Sequence, residues 1–435
     1  MPSQGTALRG RGARRLLGAV SVALLGGACG DSPLRAVEQA ALEEMALPAL
    51  PASPTNAYAD DPAAARLGKQ LFFDPRFSGP LQIGDDGENG GAGQEGEPGQ
   101  IACVSCHDLA RGGADVRSRG NTSLGSLWTG RNAPTVLNAA YSMWQFWDGR
   151  SDSLWSQALQ PLEKPSEHNF TRLEVAHLLH DHYRAPYEDI FGALPDLDDE
   201  VRFPPAGRPG DPAYDGMSEA DRASVDEVFA SFGKAIEAYE RLLVDTSSPF
   251  DRYLQGDVDA MSPAAVRGAK LFVGRAACNE CHHGPLLAHG FHNHGVAQRG
   301  PHLPVSDEGR ALGIPLVLED PFNGAGPFSD DRDAGAEMLK GLAVRPEHVG
   351  AFKTPTLRNV TKTAPYMHNG TFATLWDVLA WYREAAATDG FPGTLDSAVE
   401  PLRLSDNDLE DLVEFLRALE GDPLPEDVIA PPELP

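Results

Sequence analysis

The feature that most constrains this chain is a pentapeptide pattern written twice, as Cys103-Val-Ser-Cys106-His107 and Cys278-Asn-Glu-Cys281-His282. The chain has 435 residues and five cysteines, and only Cys29 lies outside these two motifs, so nothing is left over for a structural disulfide. C-x-x-C-H is the attachment pattern of a c-type haem. Two thiols on one short turn add to the two vinyl groups of the porphyrin, and the following His is held beneath the iron. A zinc ribbon would space its Cys pairs about 15 to 20 residues apart, whereas these stand 175 apart. A thioredoxin-like dithiol would sit in a βαβ unit, and no strand-rich stretch flanks either motif. The pattern therefore predicts two covalently bound c-type haems.

An internal repeat supports two haem domains. Leu67-Gly-Lys-Gln-Leu-Phe72 precedes the first motif and Arg267-Gly-Ala-Lys-Leu-Phe272 the second, with Gly68, Leu71 and Phe72 matching Gly268, Leu271 and Phe272. Asp61-Pro62 and Ser262-Pro263 are good helix starts. The first cysteine follows Phe272 by six residues but Phe72 by 31, and the surplus is the Gly- and acid-rich stretch Ile83–Gln100. That stretch reads as a solvated loop, since its acids lack EF-hand spacing. Apolar residues at helical period run through Val225–Val244, Thr374–Arg383 and Leu409–Leu419, and Pro204–Pro212 reads as a linker-like loop. Few period-2 runs occur, so the fold class is mainly α.

The net charge of −27 argues against nucleic-acid binding and against docking on anionic lipid, both of which need Lys and Arg. The apolar content of 41% excludes wholesale disorder. Arg9 to Arg15, the apolar Leu16–Ala28 and small residues before Cys29 read as an export signal. Cys29 in LLGGACGD resembles the lipid-bearing Cys of a bacterial lipoprotein, although the preceding Leu stands further off than that pattern prefers. The expected location is periplasmic, with a lipid anchor through Cys29 favoured over plain secretion.

Three further blocks carry a resemblance. They are Arg131-Asn-Ala-Pro-Thr-Val-Leu-Asn138, Gln145-Phe-Trp-Asp-Gly-Arg150, and Thr354-Pro-Thr-Leu-Arg-Asn359 continuing to Ala364-Pro-Tyr-Met-His-Asn-Gly370. With the haem motifs, they make the chain resemble the bacterial di-haem cytochrome c peroxidases, including the MauG-type enzymes, from about Leu67 to Leu419. The resemblance implies two cytochrome c-like helical domains. Expected boundaries are a signal over 1–29, a linker over 30–60, a peroxidatic haem domain over 61–224 joined by a returning helix at 405–420, an electron-transfer haem domain over 225–404, and a tail over 421–435.

The resemblance also implies roles. His107 and His282 are the proximal iron ligands, and Trp147 lies between the haems. Gln157 and Glu167 belong to the peroxide pocket of the first haem, with Pro161 in its wall. A carboxylate there can shuttle a proton between the peroxide oxygens. On local sequence alone Trp147 would read as a core aromatic and Glu167 as an exposed loop acid. Asn132, Thr363 and Pro365 match positions that bind a calcium ion between the domains.

Two departures from the family pattern stand out. Many members carry a His about sixteen residues after the first motif that blocks the first iron until the second haem is reduced. Here Thr122–Trp128 holds no His, and Ser126 is nearest that position. His168 is the one nearby substitute, and a wall or surface role suits it better. The first haem is therefore expected to be open. At the second haem, the position of the usual Met ligand holds Tyr382, as in MauG-type enzymes; Met367 is its competitor and helix packing its plainer reading. His289, His292, His294 and His302 cluster without fixed ligand spacing and read as a loop.

The expected activity is reduction of hydrogen peroxide with electrons relayed through the second haem. The donor would be a small cytochrome, a copper protein or a protein substrate. The alternative from another class is a non-enzymatic di-haem electron carrier, with both irons fully ligated and no pocket acid.

Overall fold

The computed structural model describes residues 34–85, 87, 90–117, 122–385 and 389–435. The expected export signal, Cys29 and three positions of the acid-rich loop lie outside the described residues. The described helices are α1 (Ala36–Glu43), α2 (Pro62–Phe73), α3 (Cys103–Cys106), α4 (Leu154–Glu163), α5 (Arg172–Phe191), α6 (Pro212–Asp215) and α7 (Glu219–Glu240). They continue with α8 (Pro249–Leu254), α9 (Pro263–Phe272), α10 (Arg310–Glu319), α11 (Arg332–Leu339), α12 (Leu375–Glu384), α13 (Asp406–Ala418) and α14 (Glu426–Ile429). Among the described residues the sheet is one antiparallel pair, β1 (Phe291–His292) with β2 (Phe352–Lys353). The fold is mainly α, as the sequence patterns predict. None of the described helices is long and apolar enough to cross a membrane.

Helix starts follow the local chemistry. The Asp61 carboxylate accepts from the N–H groups of Ala63 and Ala64 with Pro62 behind it, and the Ser262 hydroxyl accepts from Ala265 with Pro263 behind it. Thr374 and Ser405 cap α12 and α13 in the same way.

The repeat has a mechanical meaning. Helix α2 crosses α7, and α9 crosses α13, in both cases at the repeated glycine. A Cβ at Gly68 would stand 1.8 Å from the Ala235 carbonyl oxygen, and one at Gly268 would stand 1.9 Å from that of Asp411. No side chain fits at either crossing. The repeated phenylalanines close onto the haem histidines: the ring centroids of Phe72 and His107 lie 6.5 Å apart, and those of Phe272 and His282 lie 6.4 Å apart. Each crossing builds one core, the first from α2, α4, α5 and α7 and the second from α1, α9 and α13.

This pairing corrects the expected boundaries. Val225 to Leu243 belongs to the first core, because α7 is the partner that Gly68 requires. Helix α13 does not return to the first domain; it lies on α9, where Gly268 admits it. The segment that does return is the tail. Tyr239 donates to the Val428 carbonyl at 2.9 Å, Lys69 donates to that of Asp427 at 2.7 Å, and Val428 and Ile429 pack on the first core. The described part of the expected linker, residues 34–60, is packed as well. Leu42 and Met45 are fully buried in the second core, and Arg358 donates to the Met45 carbonyl at 3.0 Å. The described residues thus start on the second core and end on the first.

The crossings predict the effect of one methyl group. Gly268→Ala should force α9 and α13 apart at a cost of about 2 kcal/mol, the scale of overpacking in a full core. In a thermal melt of the holoprotein this should appear as a fall of several degrees, and an unchanged melt would show that the crossing is not close-packed.

Candidate active site

A cavity of about 640 Å³ opens against the first motif, lined by Cys103, Cys106 and His107 together with Phe72, Gln157, Pro161, Glu167 and His168. Helix α3 is a single turn that brings both thiols to the cavity side, and His107 ends it. The His107 Nδ1–H donates to the Gly113 carbonyl at 3.2 Å, which leaves Nε2 free for an iron. Burial lowers the proton affinity of His107, so the ring is neutral, as a ligand must be.

The second motif repeats this arrangement. His282 donates from Nδ1 to the Leu287 carbonyl at 2.7 Å, and burial pulls its pKa down to about 4. His282 and Cys278 line a second cavity, and Cys281 stands beside His292. All four motif cysteines are free thiols. Reduced thiol pairs, neutral anchored imidazoles and enclosed cavities fit one c-type haem at each motif.

Gln157, Pro161 and Glu167, which the family resemblance assigns to the peroxide pocket, share the first cavity with His107. Burial works against charge on Glu167. The Lys164 ammonium at 2.8 Å, with Arg150 and His168, outweighs it and holds the carboxyl below its ordinary pKa. Glu167 is therefore a carboxylate, ready to accept a proton. Its backbone is fixed by the loop over 122–128. Ser126 N–H donates to the Glu167 carbonyl at 2.9 Å, and Leu127 N–H donates to that of Ser166 at 3.2 Å. Gly125 permits the approach, since a Cβ there would stand 2.9 Å from the Glu167 Cα. The Ser126 hydroxyl is engaged by the Gln82 N–H and the Pro80 carbonyl. His168 is a buried wall residue whose Nδ1 donates to the Phe77 carbonyl at 2.8 Å.

Among the described residues Trp147 alone lines both cavities. Its indole N–H donates to the Asn132 carbonyl at 2.8 Å. The next residue, Asp148, pairs with Arg131 at 2.5 Å, and Arg131 also reaches Asp307 at 2.7 Å. Asn132 donates through its side-chain amide to the Pro365 carbonyl at 2.8 Å, so two of the three calcium-position residues meet. Thr363, two residues before Pro365, donates to the Val360 carbonyl.

Tyr382 and Met367 both line the second cavity. Burial raises the Tyr382 pKa. Two residues escaped the sequence reading. His294, read as part of a loop, lies in this cavity with its ring 5.8 Å from that of Tyr382. His368 stacks on Phe352 at 3.6 Å and turns its ring toward Trp147 at 6.4 Å. Burial lowers both histidines to about 3, so both are neutral. Of the remaining histidines of the cluster, His292 stacks on His294 at 6.1 Å and only His302 stands apart. His289 stacks on His283, His292 pairs with Asp396 at 2.8 Å, and His302 stacks on Trp128. No group of three metal-binding side chains forms among the described residues.

The two halves also share a register beyond the motifs. Isolated bridges Gln145–Ser151 and Tyr366–Phe372 precede α4 and α12 by equal intervals. Pro161 and Tyr382 both stand sixteen residues past the first member of their bridge. One half therefore has a residue without a donor atom where the other has a phenol.

A family profile described as di-haem cytochrome c peroxidase matches residues 62–259. The cytochrome-c peroxidase IdrP1 of Denitromonas iodatirespirans is 34% identical over 382 residues, covering 85% of each chain. The methylamine utilization protein MauG of Methylorubrum extorquens is 27% identical, covering 86% of this chain and 82% of its own. Among solved structures, the diheme peroxidase BthA of Burkholderia thailandensis aligns with a TM-score of 0.57 at 22% identity, over 88% of this chain and 93% of that one. The doubled haem motif, the paired cavities and these similarities agree: the chain belongs to the di-haem cytochrome c peroxidase family and is an oxidoreductase.

Proposed function

We propose that this protein reduces hydrogen peroxide at an open first haem, with electrons relayed from the second haem through Trp147. The observation that carries this reading is the unequal pair Pro161 and Tyr382. At matched positions, proline offers the first iron no ligand, while the Tyr382 oxygen serves the second in preference to Met367. Ser126 adds to the argument, because its hydroxyl is occupied away from the cavity.

A c-type haem, when bound, supplies an iron that coordinates peroxide and passes electrons to it. The chain supplies the rest. Cys103 and Cys106 tether the first haem, Cys278 and Cys281 the second, and His107 and His282 present neutral Nε2 atoms. The Glu167 carboxylate takes the proton from the inner peroxide oxygen and returns it to the outer one. Gln157 orients the peroxide. Trp147, hydrogen-bonded at Asn132, offers an oxidisable π-system between the centres. A calcium ion at Asn132, Thr363 and Pro365 would tie the first half to the second through oxygen donors that suit it. The electron source is a small cytochrome, a copper protein or a protein substrate, and the net negative charge would steer a basic one. Export, with a lipid at Cys29, completes the reading, since c-type haems are attached outside the bacterial cytoplasm.

Fully oxidised holoprotein should consume peroxide without prior reduction, and a strict requirement for half-reduction would overturn the open site. Glu167→Gln should lower turnover about a hundredfold, within the range for a positioned acid–base group, with haem content unchanged. Because Glu167 acts as a carboxylate and its pKa is depressed, wild-type activity should hold through neutral pH. It should fall only below the ordinary glutamate value of 4.5. Equal turnover in Glu167→Gln would remove Glu167 from the mechanism. Tyr382→Met should raise the reduction potential of the second haem, because a thioether favours the ferrous state more than a phenolate does. An unshifted potential would exclude Tyr382 as its ligand.

A further inference from the structure

Glu240 ends α7 beside the first haem cavity and has no part in the chemistry above. Its side chain is 3% exposed and lines the cavity, and its Oε2 has no hydrogen-bond partner. A buried carboxyl without a partner is costly, and the chain itself shows that none is needed for packing. Ala235 and Asp411 receive Gly68 and Gly268 at the two helix crossings, which sets the register between α7 and α13. One residue on, Ile236 lines the first cavity and Leu412 the second. Five residues on, Glu240 lines the first and Leu416 the second. The second core meets its cavity with a leucine where the first spends an acid.

The surroundings keep that acid uncharged. Burial, then the Glu237 carboxyl one turn earlier on α7, raise its pKa to about 8. Glu237 itself is held by Asn56 and by the Trp155 N–H. From α3 the facing group is Cys103, whose thiol feels the Glu240 charge and whose sulfur becomes a non-titrating thioether once haem is attached. From α2 the cavity-lining group is Phe72, while Lys69 reaches away to Asp427. Arg241 is spent on Asp60 and on the Pro51 carbonyl, and Tyr239 on Val428. The Cys103 side is the thioether edge of a c-type porphyrin, remote from its propionates, so a propionate does not supply the missing partner.

We propose that Glu240 couples the redox state of the first haem to a proton: it stays protonated while that haem is reduced and releases the proton when the haem is oxidised. This rests on the first motif holding a haem, as argued above. The step balances simply. Oxidation removes one electron from the haem to its acceptor, the added positive charge stabilises the neighbouring carboxylate, and one proton leaves to water. The second haem, with Leu416 in that place, has no such partner.

The test is potentiometry of both haems in the holoprotein across the pH range, for wild type, Glu240→Gln and Glu240→Leu, the last being the solution the second core already uses. In wild type, approaching pH 8, the oxidised-to-reduced ratio of the first haem at fixed applied potential should rise about tenfold per pH unit, the equilibrium expected for one proton per electron. The second haem should stay nearly flat there. Both variants should flatten the first haem and leave the second unchanged. A wild-type slope surviving in either variant would overturn the proposal. Infrared difference spectra of wild type on reducing the first haem give an independent reading. A protonated-carboxyl band should appear, and its absence would also overturn the proposal. Failure of the underlying reading looks different: wild-type protein with fewer than two covalent haems, or with no peroxide consumption.

Discussion

Two close helix crossings fix the positions of nearly everything else in this molecule. At Gly68 and Gly268 the backbones approach so nearly that a methyl group would overlap a carbonyl oxygen. From each crossing a phenylalanine reaches the ring of a haem-motif histidine, and that histidine is locked by a carbonyl on its far nitrogen. The cavity therefore arises in the same place in both halves. Between the cavities a single indole forms shared wall, held by Asn132 and by the ion pairs of Arg131 with Asp148 and Asp307. Breaking that network would leave buried charges unpaired, a cost of several kcal/mol in comparable settings, so Trp147 is held firmly.

The two halves stop matching at a few cavity positions. Pro161 stands opposite Tyr382, and Glu240 opposite Leu416. In the function proposed here, the first pair decides which iron can take a small molecule, and the second which cavity carries a proton. The pocket acid Glu167 has its own support. The Thr122–Trp128 loop is fastened to the backbone at Ser166 and Glu167, which fixes where that carboxylate enters the first cavity.

Much of this was legible in the sequence because the signals are short-range or repeated. The haem motifs, the matched Gly and Phe, the Pro-started helices and the mainly α class all follow from a few adjacent residues. What could not be read was the choice of partner at long range. The period of Leu409 to Leu419 announces an amphipathic helix, but nothing in it says that α9 rather than the first domain receives it. The glycine that decides this lies more than 140 residues earlier. The same holds for α1 and the tail, whose burial rests on contacts across the whole chain. At the sites, Glu167 was placed by family spacing alone; its depressed pKa follows from Lys164, three residues earlier, and from Arg150, which the folded chain brings up. His294 looked like a loop residue because it sits in no ligand-spaced motif, and His368 stood in a resemblance block that gave it no role of its own.

The proposed chemistry requires one haem with an open coordination position and one that is fully ligated. Electron spin resonance of the purified, fully oxidised holoprotein reports this directly. One high-spin and one low-spin ferric signal in equal amount is the predicted result, and two low-spin signals would contradict it.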